Sequence, residues 1–261
     1  MIQIEQLTKN YGQDKGVFDL TLQVESGETF GYLGPNGAGK TTTIRHLMGF
    51  LNPDSGHCTI ANKDCRQHAA KIQKFTGYLP GEIAFFDSMN GYEFLKLLAD
   101  MRGMTSTKKR DTLIETLDLD CRGKIRKMSK GMKQKLGIVA ALMHDPDVLL
   151  LDEPSSGLDP LMQSRFVSII QAEKEAGKTI LMSSHSFDEI ERTCDRVGII
   201  RAGRLVAVEQ IADLRATQRK KYIVTFAETQ AAESFAPADF EILSRVENVV
   251  EVAIQDNLTQ F

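Results

Sequence analysis

Gly34-Pro35-Asn36-Gly37-Ala38-Gly39-Lys40-Thr41 decides the fold, because it fits G-x-x-x-x-G-K-[ST], the phosphate-binding loop. The residues before it, Thr29-Phe30-Gly31-Tyr32-Leu33, read as a short buried strand. Those after it, Thr42 to Met48, carry helical apolar spacing. A loop between such a strand and helix turns several backbone N–H groups toward one point, at the positive end of the helix dipole. Gly37 and Gly39 let the backbone wrap a phosphate without Cβ clashes. Lys40 reaches the β- and γ-phosphates, and the Thr41 hydroxyl can ligate Mg²⁺. The whole loop, with Thr42 behind it, is assigned to a nucleoside triphosphate.

Composition sets bounds around that loop. A chain of 261 residues has room for one large α/β domain and a small appendage. Apolar content of 42% with 26% charged residues is ordinary for a globular protein. A net charge of −3 and the lack of a long basic run argue against nucleic acid as a partner, and Arg219-Lys220-Lys221 is too short to change that. No apolar run approaches the roughly 18 residues of a membrane span; the longest runs from Leu136 to Met143. Ile2 and Ile4 alternate with polar residues, so the amino terminus reads as a strand and not as a signal peptide. The expectation is a cytoplasmic chain, held at a membrane only through a protein partner. Four cysteines, Cys58, Cys65, Cys121 and Cys194, have no C-x-x-C pairing and suit a reducing compartment. His57, Cys58, Cys65 and His68 match no zinc spacing, and neighbours on a strand face opposite sides, so buried free thiols are expected.

Along the chain, alternation from Ile2 to Val24 predicts antiparallel strands, and Asn52-Pro53-Asp54-Ser55-Gly56 a turn that ends the first helix. From about Ile83 to Ala141 apolar residues recur at helical spacing: Phe94, Leu95, Leu97, Leu98 and Met101, then Leu113, Ile114, Leu117 and Leu119. This predicts a helical insertion. Val148-Leu149-Leu150-Leu151-Asp152 is an apolar run ended by a carboxylate, as in a central parallel strand. A helix from Leu161 to Ala176, a strand from Thr179 to Ser183, a helix from Phe187 and a strand from Val197 to Ile200 follow. The fold class is therefore α/β: a P-loop NTPase core with an antiparallel β subdomain and a helical insertion over 83–141. Domain limits fall at 1–215 and 216–261. Tyr222, Val224 and Phe226, then Gln230 to Ala236, then Val250, Val252 and Ile254 predict a small carboxy-terminal β-α-β segment. Its abrupt stop at Phe261 suggests truncation.

Asp152 and Glu153 narrow the chemistry. At the carboxyl end of a strand both can reach the nucleotide crevice, Asp152 toward Mg²⁺ and Glu153 toward the attacking water. In order along the chain stand Tyr11, the phosphate loop, Ser129-Lys130-Gly131-Met132-Lys133-Gln134, Leu149 to Pro154, Gly157-Leu158-Asp159-Pro160 and Ser183-Ser184-His185. This series resembles the nucleotide-binding subunit of an ABC transporter, within the exporter branch whose permeases are separate chains. The resemblance covers roughly residues 1–215.

What it implies is an ATPase that binds ATP and Mg²⁺, pairs with a second nucleotide-binding subunit, and works with an integral membrane permease at the inner face of the cell membrane. Tyr11 would stack on adenine. Ser129 and Gly131, ahead of a helix starting near Met132, would meet the γ-phosphate held by the other subunit. Asp159 would cross the dimer interface, and His185 would hold the water against the γ-phosphate. Taken singly, these residues also suit a sheet-packing Tyr, a helix cap, a turn and a structural His. Two positions depart from the family pattern. The signature Leu-Ser-Gly-Gly-Gln is here Met128-Ser129-Lys130-Gly131-Met132, and the loop Gln after Gly77-Tyr78-Leu79-Pro80 is replaced by Gly81, followed by Glu82. The resemblance also leaves room for a soluble ABC-type regulatory ATPase acting on ribosomes or DNA. Such proteins usually carry tandem domains, coiled arms or basic extensions, and this sequence has none of those features. An idle ATP-binding scaffold is disfavoured by the presence of both Glu153 and His185.

Overall fold

A computed structural model describes residues 1–217, 220–235 and 241–254. It divides into two compact units, Met1–Val208 and Glu209–Phe261. The first opens with β1 (Ile2–Asn10) and β2 (Gly16–Val24), paired antiparallel with Ile2 opposite Val24 and Ile4 opposite Leu22. The alternation seen in the sequence sends these four side chains into the core.

β3 (Thr29–Leu33) is buried almost throughout, and α1 (Lys40–Leu47) follows it. The helix begins at Lys40, inside the loop motif, and not at Thr42. It also stops earlier than expected. Gly49, at φ +70°, takes the chain out of the helix, while Ser55 and Gly56 already belong to β4 (Ser55–Ile60). With β5 (Lys63–Asp64), these strands form a four-stranded antiparallel sheet, order β2-β1-β4-β5. In β4 His57 is exposed and Cys58 buried, as alternation requires; all four thiols are free and buried.

α2 (Ala69–Phe75) and β6 (Thr76–Leu79) lead into the helical insertion. Its helices are α3 (Gly91–Arg102), α4 (Lys108–Thr116) and α5 (Lys130–Leu142), with a 3₁₀ turn at Ile125–Lys127. Residues 83–90 are irregular, and the first helix starts at Gly91, three residues ahead of the apolar pattern that begins at Phe94. It starts at a reciprocal cap, the Asn90 side chain accepting from the Glu93 N–H and the Glu93 carboxylate from the Asn90 N–H. Leu119 lies beyond α4, not on it; Asp118 turns at φ +47° and Leu119 is still buried.

The remaining elements are β7 (Val148–Asp152), α6 (Pro160–Glu175), β8 (Thr179–Ser184), α7 (Phe187–Thr193), β9 (Arg196–Arg201) and β10 (Arg204–Gln210). They complete a six-stranded sheet of order β10-β9-β3-β8-β7-β6, in which β9, β3, β8, β7 and β6 run parallel. β7 is buried at every position, which explains its unbroken apolar run. Register sets the site: Leu33 stands opposite Ser184, and Asp152 opposite Ser183, so the loops after β3, β7 and β8 leave the sheet side by side.

In the second unit, α8 (Ile211–Thr217) is followed by β11 (Lys220–Thr225), α9 (Thr229–Ser234), β12 (Glu241–Val246) and β13 (Val249–Ile254). The three strands pair antiparallel in the order β11-β13-β12, with a core of Ala232, Val250 and Val252. The expected β-α-β pattern lacked β12. A register shift between Ile242 and Ser244 breaks its alternation, so its apolar residues do not read as a strand. Arg219, Ala236 and the stop at Phe261 lie outside the described residues.

Candidate nucleotide site

The phosphate loop is shaped by its glycines in two ways. Gly37 (φ +79°) and Gly39 (φ +110°) have left-handed backbones, which L side chains resist. Gly34 is needed for space, since a Cβ there would sit 2.4 Å from the Ile200 carbonyl oxygen. α1 starts at this loop with no side-chain cap and no acidic residue in its first turn, leaving its N–H groups to an anion. Pro35, Asn36 and Gly37 are exposed, while Ala38 is buried and its carbonyl accepts the Gly203 N–H at 2.9 Å. Lys40 is 5% exposed. Its Nζ donates to the carbonyls of Gly34 (2.6 Å) and Pro35 (3.2 Å) and lies 3.0 Å from Glu153 Oε1. Thr42 directs its carbonyl at His46 Nδ1, 2.8 Å away.

Asp152 is fully buried. Its Oδ1 accepts from Ser183 Oγ and its Oδ2 from Thr41 Oγ1, each at 2.6 Å. Glu153 then leaves the pleat: its φ is +51°, and its N–H donates to the Ser183 carbonyl (3.2 Å) and hydroxyl (3.1 Å). On a regular strand the two carboxylates would face opposite sides. This left-handed residue brings both to one crevice. Glu153 Oε2 accepts from His185 Nδ1 at 2.5 Å, so Lys40, Glu153 and His185 form a connected chain of contacts.

Ser183 and Gln134 hold this arrangement; both stand in the quoted motifs, but the sequence assigned them no role. Buried Gln134, on α5, donates from Nε2 to the carbonyls of Pro154 (2.8 Å) and Glu153 (3.4 Å). Its signal was a polar residue on the apolar face of a helix.

Other predicted residues lie apart from this chain of contacts. Tyr11 is 53% exposed, in the turn between β1 and β2. Ser129 caps α5, accepting the Met132 N–H at 3.2 Å, and Asp159 caps α6, accepting the Met162 N–H at 3.0 Å ahead of Pro160. Gly131 is not ahead of the helix, as the sequence suggested, but inside its first turn. A Cβ there would lie 2.9 Å from the Gly157 carbonyl oxygen, so glycine lets the two loops approach. Gly81 faces the acid of β7, since a Cβ there would lie 3.2 Å from Asp152 Oδ2, while Glu82 is exposed.

A phosphate loop, a strand-end Asp on its Thr, and a Glu–His pair beside its Lys, all at the carboxyl edge of a parallel sheet, define a P-loop nucleoside triphosphatase. The family described as "ABC transporter" matches residues 17–156, more than half of the chain. The chain belongs to that family, as an ATP-binding cassette, and its activity is ATP hydrolysis. The linearmycin resistance ATP-binding protein LnrL of Bacillus subtilis is 36% identical over 219 residues, spanning 82% of this chain and 70% of that one. The bacitracin transport ATP-binding protein BcrA of Bacillus licheniformis is 38% identical over 223 residues, spanning 84% and 73%. A solved ATP-binding subunit of an ABC transporter superposes with a TM-score of 0.74 at 30% identity, covering 82% of this chain and 92% of its own. A dimeric bacterial cassette has the same fold, with a TM-score of 0.74 at 22% identity over 81% and 99%. These likenesses do not favour a soluble regulatory ATPase. Among the described residues no helix is long and apolar enough to cross a membrane.

Proposed function

We propose that this chain is the ATPase subunit of an exporter, working beside a separate membrane-embedded permease at the inner face of the cell membrane. Residues 1–215 act as the nucleotide-binding domain, with 216–261 as an accessory segment. Two copies, or this chain and a homologue, clasp two ATP molecules head to tail, each site joining the phosphate loop of one subunit to Ser129 and Gly131 of the other. Tyr11 stacks on the adenine, and Asp159 lies at the subunit boundary. Export is supported by the resistance and transport roles in the names of LnrL and BcrA.

The observation that carries the reading is the contact of Glu153 with both Lys40 and His185, beside the Thr41–Asp152 pair. Thr41 and Asp152 offer only oxygen donors, and Gly81 leaves the flank of Asp152 Oδ2 open, a set that fits a hard divalent cation. Mg²⁺ held there would neutralise charge on the phosphates. Lys40 and the N–H groups of the loop bind and orient the triphosphate. Glu153 accepts a proton from the attacking water, and His185 holds that carboxylate and the water in line. The helical insertion relays closure and opening of the dimer to the permease, with Glu82 as the polar group of the loop after β6.

Glu153→Gln tests this. The variant should bind ATP, lose about 10²- to 10⁴-fold in hydrolysis rate, and collect as an ATP-bound dimer on size exclusion. A Glu153→Gln chain that hydrolyses ATP normally places the base elsewhere.

A further inference from the structure

The turn that carries His185 is short and mostly polar, and its hold on the sheet end runs through one acid that the sequence did not single out. Glu189, on α7, is mostly buried and folds back on the turn. Its Oε2 accepts from Ser184 Oγ at 2.7 Å, and the same hydroxyl oxygen accepts the Ser186 N–H at 3.0 Å. The carboxylate thus fastens both neighbours of His185. The Ser184 carbonyl, in turn, accepts the N–H of Gly34, the first residue of the phosphate loop, at 3.2 Å. Ser155, in the loop that follows Glu153 and Pro154, lines the same cavity as Glu189.

Glu189 has no cation in ion-pair contact among the described residues, and its Oε1 is buried with no hydrogen-bond partner. A buried carboxylate oxygen without a partner destabilises the fold. A residue retained only to stabilise α7 would be a poor choice there. The carboxyl also lines a cavity of about 410 Å³ shared with Ser155, Gly157, His185 and Arg192, beside the Glu153–His185 pair. Burial pushes its pKa up, the hydroxyls of Ser184 and Ser155 pull it down, and Glu153 adds to the upward push.

We infer that Glu189 is a positioning residue for hydrolysis, fastening the turn that holds His185 so that His185 stays in register with Glu153 and the phosphate loop. This rests on the reading of His185 and Glu153 given above. Glu189 acts through Ser184.

Loss of one hydrogen bond to a charged group, about 1.5–3 kcal/mol, corresponds to roughly a tenfold to hundredfold change. Glu189→Ala should therefore lower kcat for ATP by about tenfold or more, with KM and ATP affinity unchanged, since the phosphate loop is left intact. Glu189→Gln keeps an acceptor for Ser184 and should recover most of the rate. Ser184→Ala should mimic Glu189→Ala, and the double variant should be no slower than either single one. The ring resonances of His185 should shift in Glu189→Ala and return toward wild type in Glu189→Gln. A wild-type kcat in Glu189→Ala overturns the inference. So does a loss of kcat matched by equal losses in ATP affinity and unfolding midpoint, or an effect that Glu189→Gln does not rescue. His185→Ala separates the two layers. If it retains full activity, the reading of His185 fails; if it is inactive while Glu189→Ala is not, only the role of Glu189 fails.

Discussion

Lys40 is nearly sealed from solvent and held between two backbone carbonyls and one carboxylate. Nothing else in the loop can neutralise the β- and γ-phosphates. Lys40→Ala should therefore weaken ATP affinity by about tenfold to a hundredfold, measured with a fluorescent nucleotide, and remove hydrolysis. Near-normal affinity and turnover would refute the loop assignment. At this scale the sequence named the chemistry but not its geometry. Lys40, Thr41, Asp152, Glu153 and His185 were legible because motif spacing reports them. The left-handed backbone of Glu153 was not, because nothing in the residue type announces a positive φ at a glutamate. The roles of Ser183, Gln134 and Glu189 were missed for another reason: a polar side chain that holds a neighbour in place looks like any other buried polar residue until its partner is seen.

At the scale of elements, strands and helices were legible wherever burial was one-sided or complete. Boundaries were not, because caps and left-handed residues decide them: Gly49 ended α1 and Asn90 began α3. The strand β12 was hidden by its register shift. The junction of β6 and α5 carries a prediction of its own. His144 follows α5 and places Nε2 3.3 Å from the Thr76 carbonyl, while its Nδ1 is buried without a partner. Burial, with the charges of Arg102, Lys178 and Lys109, lowers its pKa from 6.5 to about 4, against the upward pull of the Thr76 carbonyl. The unfolded chain then binds this proton more readily than the folded one. Stability should fall as pH drops below about 6.5 and level off below about 4. Asp145, pulled down to about 2 by Lys109 and Lys178, loses its contribution only below its ordinary value of 3.8. Urea unfolding at pH 7 and pH 4.5 should show His144→Gln removing on the order of 2 kcal/mol of the acid loss. An unchanged pH dependence would mean that His144 titrates normally.

At the scale of the whole molecule, one chain supplies the phosphate loop, the acids and His185, whereas Ser129 and Asp159 spend their side chains capping α5 and α6. A site completed in trans follows from the proposed dimer. A Lys40→Ala subunit mixed with a Ser129→Arg subunit should recover part of the ATPase rate, because each mixed dimer keeps one site with both parts intact. Co-purification of differently tagged subunits shows that mixed dimers have formed. No recovery in such a sample rules out independent sites built strictly in trans. The order of motifs made this reading, including the partition of residues between two copies, available from the sequence through the family resemblance.

The 3.0 Å contact between Lys40 and Glu153 has one more implication. A single ammonium faces two claimants, the carboxylate that would activate water and the phosphates that would be attacked. While the carboxylate holds it, the proposed base is tied down in an ion pair. Phosphates that take the ammonium release the base in the same movement. On the proposed mechanism the pair would work as an interlock: the group proposed to draw the proton from water would be armed by the arrival of what that water attacks.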